Sequence, residues 1–118
     1  MDTRAITGRS GEAAAETQYV RRGFRVVARN WRCRIGELDL VLARDGLLVI
    51  CEVKTRRGVR FGAGFDAVDA RKRRKLRAIG EVFLHQLQIR PASVRFDVAS
   101  VLMRPNGSTV VDLFEDAF

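Results

Sequence analysis

Gly36-Glu37-Leu38-Asp39-Leu40-Val41-Leu42-Ala43-Arg44-Asp45-Gly46-Leu47-Leu48-Val49-Ile50-Cys51-Glu52-Val53-Lys54-Thr55 is the stretch whose reading decides the fold. It reads as two strands joined by Asp45-Gly46, a pair suited to a type I′ turn because both residues tolerate φ > 0. With Arg44 opposite Leu47, the register places Asp39 across from Glu52 and Glu37 across from Lys54. Side chains alternate faces along a strand. One face then carries Leu38, Leu40, Leu42, Leu47, Val49, Cys51 and Val53. The other carries Glu37, Asp39, Val41, Ala43, Leu48, Ile50, Glu52 and Lys54, apolar near the turn and charged at the open end. So apolar a hairpin belongs inside a sheet. Opposed carboxylates destabilise a sheet, so this pair needs a cation or a shared proton. A hard divalent ion suits them, and Mg²⁺ typically takes one or two carboxylates plus substrate phosphate. The alternative is a charge-balanced sheet end, with Glu37 on Lys54 and the other two acids in solvent.

Around the hairpin, the chain of 118 residues is read as one α/β domain, with residues 1–8 as a flexible tail. A first helix is expected from about Arg9 to Arg22, with Ser10 as N-cap and Gly23 at C′. Glu12, Glu16 and Tyr19 share one face of it. The two acids either favour the positive helix end or bring Glu12 to the hairpin as a third carboxylate. Phe24 to Trp31 is the first strand, with Phe24, Val26 and Ala28 on one side and Val27 on the other. After Thr55 comes a basic, Gly-rich loop, 56–65, anchored by Phe61 and Phe65. A long helix follows from about Asp66, its cap, to Gln88, with Leu76, Ile79, Val82, Phe83 and Leu87 as its apolar stripe. Ser93 to Met103 and Thr109 to Phe114 are two more strands around a turn at 104–108. The expected fold is therefore a mixed five-stranded sheet flanked by helices, in the order α-β-β-β-α-β-β. The third and fourth strands run parallel through a crossover helix.

Formal net charge is +8, with a sequence pI near 10.9. An anionic partner follows from that balance. Arg32 and Arg34 belong to an acid-free run, Arg21 to Arg34, interleaved with Phe24, Asn30 and Trp31. Arg beside aromatics suits phosphate pairing and base stacking. Arg56, Arg57 and Arg60 in the loop, and Arg71, Lys72, Arg74 and Lys75 on the long helix, extend the basic surface. One histidine, His85, argues against a His-rich metal site or a Ser-His-Asp triad. Cys33 and Cys51 make neither a disulfide framework nor a zinc set, and Cys51 is expected to be a small buried hydrophobe. With no signal peptide or membrane span in view, the expected location is the cytoplasm.

Gly11-Glu12, Gly36-Glu37-Leu38-Asp39-Leu40, Glu52-Val53-Lys54-Thr55-Arg56, Phe61-Gly62 and Arg95-Phe96-Asp97-Val98 together resemble the YraN-like family of small bacterial proteins. That family is similar to the PD-(D/E)XK nucleases, which include restriction endonucleases and Holliday junction resolvases. The resemblance implies a restriction endonuclease-like three-layer core. It implies Asp39 as the first motif acid, Glu52 and Lys54 as the E-x-K pair, and Glu12 as the helix acid of resolvase-like members. Leu38 stands where the motif's Pro would be. The expectation is a nuclease using Mg²⁺ or Mn²⁺ held by Asp39, Glu52 and Glu12, with DNA ahead of RNA as substrate and branched DNA among the candidates. A homodimer would supply the second site that a two-fold symmetric cutter needs. A non-catalytic nucleic-acid-binding protein of the same fold is the alternative. A module that docks an acidic protein is the third class.

Overall fold

A computed structural model describes the backbone of residues 3–58 and 68–118, with side chains from Arg9 onward. The elements are α1 (Thr3–Arg21), β1 (Arg25–Arg32), β2 (Glu37–Arg44), β3 (Leu47–Arg57), α2 (Ala70–Leu87), β4 (Ser93–Met103) and β5 (Thr109–Phe114). The sheet is mixed, and its spatial order β1-β2-β3-β4-β5 repeats the order in the chain. Three neighbouring pairs are antiparallel, and β3 and β4 pair in parallel from Leu47↔Ser93 to Arg57↔Met103. No helix among the described residues is long and apolar enough to cross a membrane.

Helix α1 covers one sheet face and α2 the other, so β2 and β3 are buried on both sides. That is why they read as nearly continuous apolar runs. On the α1 side, Ala15, Tyr19 and Phe24 pack with Leu40, Leu42, Val49, Cys51, Ala99 and Val101. On the α2 side, Leu76, Ile79 and Phe83 pack with Leu38, Val41, Leu48, Ile50 and Val98. Leu87, expected in the stripe, is 41% exposed at the helix end.

The hairpin turn is Asp45-Gly46, with φ of 49° and 82°. The ladder runs from Arg44↔Leu47 to Leu40↔Cys51, the register read from the sequence. Beyond Leu40 the two strands part. Leu38 consequently joins the α2-side cluster and not the face shared by Leu40 and Leu42. Ala28 also differs from expectation. A register shift between Val26 and Ala28 bulges β1, and Val27 and Ala28 both lie against the α2-side core.

Helix α1 starts at Thr3, before Arg9, so Ser10 is an interior residue and not the cap. Its C-terminus closes as read from the sequence. Gly23 takes φ 88°, its N–H donates to Val20 O at 3.0 Å, and Phe24 N–H donates to Tyr19 O at 3.1 Å. This is the Schellman arrangement, which a C′ glycine permits. Strand β3 runs on through Arg56 and Arg57, where a loop was expected. Arg60, Phe61, Phe65 and the expected cap Asp66 lie outside the described residues. Asp69 caps α2 instead, accepting the Lys72 N–H at 2.9 Å.

Candidate active site

The parting of β2 and β3 creates the site. Asp39 is the first β2 residue beyond the ladder's last pair, Leu40↔Cys51. Its Oδ2 accepts the Val53 N–H at 2.9 Å, so a side chain takes over where backbone pairing stops. Asp39 and Glu52 are thus brought close, but not as a cross-strand ladder pair. The expected Glu37 to Lys54 pairing is replaced as well. Glu37 holds Arg32 at 2.8 Å, and Lys54 turns to Glu52 on its own strand at 3.5 Å.

Two shallow clefts meet at Asp39. One, of about 270 Å³, is lined on the α1 side by Glu12, Glu16, Arg29 and Asn30. The other, of about 220 Å³, is lined on the α2 side by Glu37, Glu52, Lys72 and Lys75. Helix α1 can lie this close because Gly11 carries no side chain, and a Cβ there would collide with Thr55 on β3. Glu12, the next residue, is therefore delivered to the strand fork. It sits well past the first turn of α1, so the helix dipole does not account for it. Glu16 on the same face is taken by Arg29, through bonds of 2.6 and 3.1 Å.

The three acids feel one another. Burial pushes the Asp39 carboxyl up to about 7, and the charges of Glu52, Glu12 and Glu37 push the same way, against the stabilising Val53 N–H. The Glu12 carboxyl is raised by burial and by Glu37 and Glu52, opposed by Arg9. Glu52 is 8% exposed, and Lys72 on α2 approaches the same Oε1 as Lys54, at 3.0 Å. Burial, together with the neighbouring Lys72 charge, lowers the Lys54 pKa, although Glu52 opposes this. Burial disfavours charge on Lys72, but the carboxylates of Glu52 and Asp39 outweigh it and leave its pKa raised.

Oxygen-only donors in a shared negative field have the chemistry for a hard divalent cation. Among the described residues no group of three His, Cys, Asp or Glu side chains is placed to hold a metal ion. Two carboxylates of the fork, Asp39 and Glu52, are oxygen donors of the kind taken by an ion that water and phosphate complete. Asp39 and Glu52 would hold it, with Glu12 at the edge.

The basic surface divides. Lys72 and Lys75 line the cleft beside Glu52. Arg32, Arg34, Arg56, Arg57, Arg71 and Arg74 are exposed. The aromatics expected to stack bases are turned inward. Trp31 stands edge-on to Phe83 at 5.1 Å, and Phe24 is buried beneath the Arg44 guanidinium at 4.5 Å. Cys51 is buried, and Cys33 is half-buried.

Three features escape a reading of the sequence by strand and helix alone. Lys72 reaches Glu52 from α2, a contact between two layers of the fold that no spacing within one element announces. Asn30 holds φ 47° within β1, and with its amide nitrogen turned to Glu12 it donates to both carboxylate oxygens at 2.9 and 3.0 Å. An Asn in the middle of a strand was the available signal, since Asn tolerates the left-handed region. Asp97 is fully buried and accepts from Tyr19 Oη at 2.7 Å, from Arg95 at 2.9 and 3.0 Å, and from the Asp116 N–H at 2.9 Å. One acid in the otherwise apolar Phe96–Ala99 run marks it.

The fold and fork define a mixed α/β protein with an acidic and lysine-bearing cluster where two central strands separate. The chain belongs to the uncharacterised protein family UPF0102, the YraN-like family, whose model matches residues 11–101. It is 45% identical over 119 residues to a UPF0102 protein of Frankia alni, covering all of this chain and 98% of the relative. It is 42% identical over 111 residues to one of Symbiobacterium thermophilum, covering 94% of each.

Proposed function

We propose that this chain is a metal-dependent phosphodiesterase acting on nucleic acid, with a restriction endonuclease-like core. The observation that carries the reading is the strand fork itself, where Asp39, Glu52 and Glu12 share one negative field beside Lys54. When bound there, a divalent ion would polarise the phosphate and supply an activated water. Lys54, held beside Glu52 at 3.5 Å, orients that water and stabilises the charge that develops on the phosphate as the oxygen attacks phosphorus. The phosphorus–oxygen bond to the leaving strand end then breaks, and that oxygen takes up a proton from solvent water. The exposed arginines and lysines around the cleft grip the backbone phosphates. They position the substrate without reading its bases. With Phe24 and Trp31 facing inward, recognition falls on backbone charge and shape, which suits DNA and branched DNA among the candidates.

A second reading, a nucleic-acid-binding protein without catalysis, is favoured by one observation. Glu52 already has two ammonium partners, and a carboxylate so compensated needs no metal.

The test is a Mn²⁺ and Mg²⁺ titration by calorimetry, wild type beside Asp39→Ala, followed by incubation with labelled linear and four-way DNA. Saturable binding lost in the variant, with metal-dependent cleavage also lost, supports the phosphodiesterase. DNA binding that is equally strong in chelator and kept in Asp39→Ala, with no cleavage, supports the second reading.

A further inference from the structure

We propose that Lys72 is a built-in stand-in for the metal ion at Glu52. It holds the carboxylate in the free protein, yields it to a divalent cation, and then presents its ammonium to the phosphate of a bound nucleic acid. The inference rests on the phosphodiesterase reading and adds how that site is held and released.

Glu52 is buried, and a buried carboxylate must be compensated. Its Oε1 is approached by Lys72 Nζ at 3.0 Å and by Lys54 Nζ at 3.5 Å. Lys54 comes from the same strand, two residues on, so its backbone stays beside Glu52 whatever its side chain does. Lys72 comes from a different layer of the fold. Its backbone is fixed by the Asp69 cap at 2.9 Å, but its side chain is a long, flexible stem with a compact charge. The side chain can swing while the helix stays in place. A divalent ion and an ammonium on one carboxylate oxygen repel each other, so loading the ion releases Lys72.

What Lys72 is released toward is also set by the fold. Arg71, Arg74 and Lys75 are exposed on the same stretch of α2, and Lys75 lines the same cleft as Asp39 and Glu52. A freed Lys72 joins this cationic row at the point nearest the carboxylates. Metal binding thereby adds a phosphate contact, and a bound phosphate in turn draws Lys72 away from Glu52. The two ligands assist each other, as linkage requires.

The experiment is Mn²⁺ calorimetry on the full chain, alone and with a short DNA duplex, using wild type, Lys72→Ala, Lys72→Arg, Lys75→Ala and Asp39→Ala. Without DNA, Lys72→Ala should bind Mn²⁺ about tenfold tighter than wild type, a coupling of ordinary size. Lys75→Ala removes an equal charge from the same cleft and should change affinity much less. Lys72→Arg keeps a cation on Glu52 and should resemble wild type. The gain in DNA affinity that Mn²⁺ gives the wild type should shrink in Lys72→Ala. Unchanged or weaker Mn²⁺ binding in Lys72→Ala overturns the inference. So does an equal tightening in Lys75→Ala or Lys72→Arg, which would mean general charge or packing. If no variant binds Mn²⁺ with or without DNA, or if wild-type binding survives Asp39→Ala, the phosphodiesterase reading itself has failed and this inference falls with it.

Discussion

Asp39 Oδ2 accepts the backbone N–H of Val53 at 2.9 Å, a side-chain bond that takes over where the β2–β3 ladder ends. This bond favours the ionised carboxylate, while burial and the neighbouring acids oppose it and leave the carboxyl near 7. The folded protein thus holds this proton more tightly than the unfolded chain does. The stability it contributes is full at pH values below the ordinary carboxyl range and is lost as pH rises through about 7. In chelator, thermal unfolding should therefore move to lower temperature between pH 6 and pH 8. Asp39→Asn keeps an acceptor for Val53 and removes the charge. It should flatten that dependence and raise stability at pH 8 by about 1 kcal/mol, or about 4 °C. A variant with the wild-type slope would remove Asp39 as its source.

Tyr19→Phe takes one donor from the buried Asp97, which keeps Arg95 and the Asp116 N–H. A loss of about 1.5–3 kcal/mol in urea unfolding is expected, since the acceptor is charged. Asp97→Ala strands both Tyr19 and Arg95 and should cost about 3–5 kcal/mol, as breaking a buried pair does. Equal costs for the two variants would contradict the network.

Gly11→Ala places a methyl group against Thr55, so α1 must back away from β3. Overpacking of this kind costs about 1–3 kcal/mol. The double variant with Thr55→Gly should recover part of the loss, giving a non-additive cycle in denaturant unfolding. Strict additivity would mean that the helix does not press on this strand.

Asn30→Gly keeps the backbone free to hold φ 47° but deletes the amide that clamps Glu12. Its stability should stay within about 1 kcal/mol of wild type, while Mn²⁺ affinity falls. Asn30→Ala loses the same amide and adds about 1–2 kcal/mol of left-handed strain. Matching melting temperatures for the two would show that β1 relaxes freely at this position.

Binding of DNA should weaken steeply with salt. Arg71→Ala and Arg74→Ala remove exposed charges from α2, and each should reduce the log–log salt slope by about 1, uniformly across sequences. A sequence-dependent loss would point to base contacts.

The hairpin was legible because two independent signals agree there. Asp45-Gly46 sets the turn, and unbroken apolar runs on both strands announce burial under two helices. The strands β4 and β5 were legible for similar reasons, with alternation and a Pro-Asn-Gly turn between them. What strict alternation could not convey was where it stops. The bulge at Val27 turns Ala28 over, and the parting of β2 and β3 turns Leu38 over, because each departs locally from a period of two. The candidate site lies at such a departure. Its acids were visible as residue types, but Lys72 was read only as part of the basic helix surface and Asn30 only as part of the arginine run, since their contacts with Glu52 and Glu12 depend on helix placement and on one left-handed residue. The arginine–aromatic run misled in part, because composition does not say which way Trp31 points.

Tyr19 and Asp97 are separated by 78 positions in the chain, yet they form one hydrogen bond. Glu12, Asp39, Glu52, Lys54 and Lys72 all precede β4 in the chain and are synthesised before it. Until it arrives, β3 has a bare edge and Tyr19 has no Asp97 to bond. The chemistry-bearing first part of the chain is thus withheld from completion by a later part that carries none of it, and a chain cut short before β4 should yield neither a folded sheet nor a formed fork.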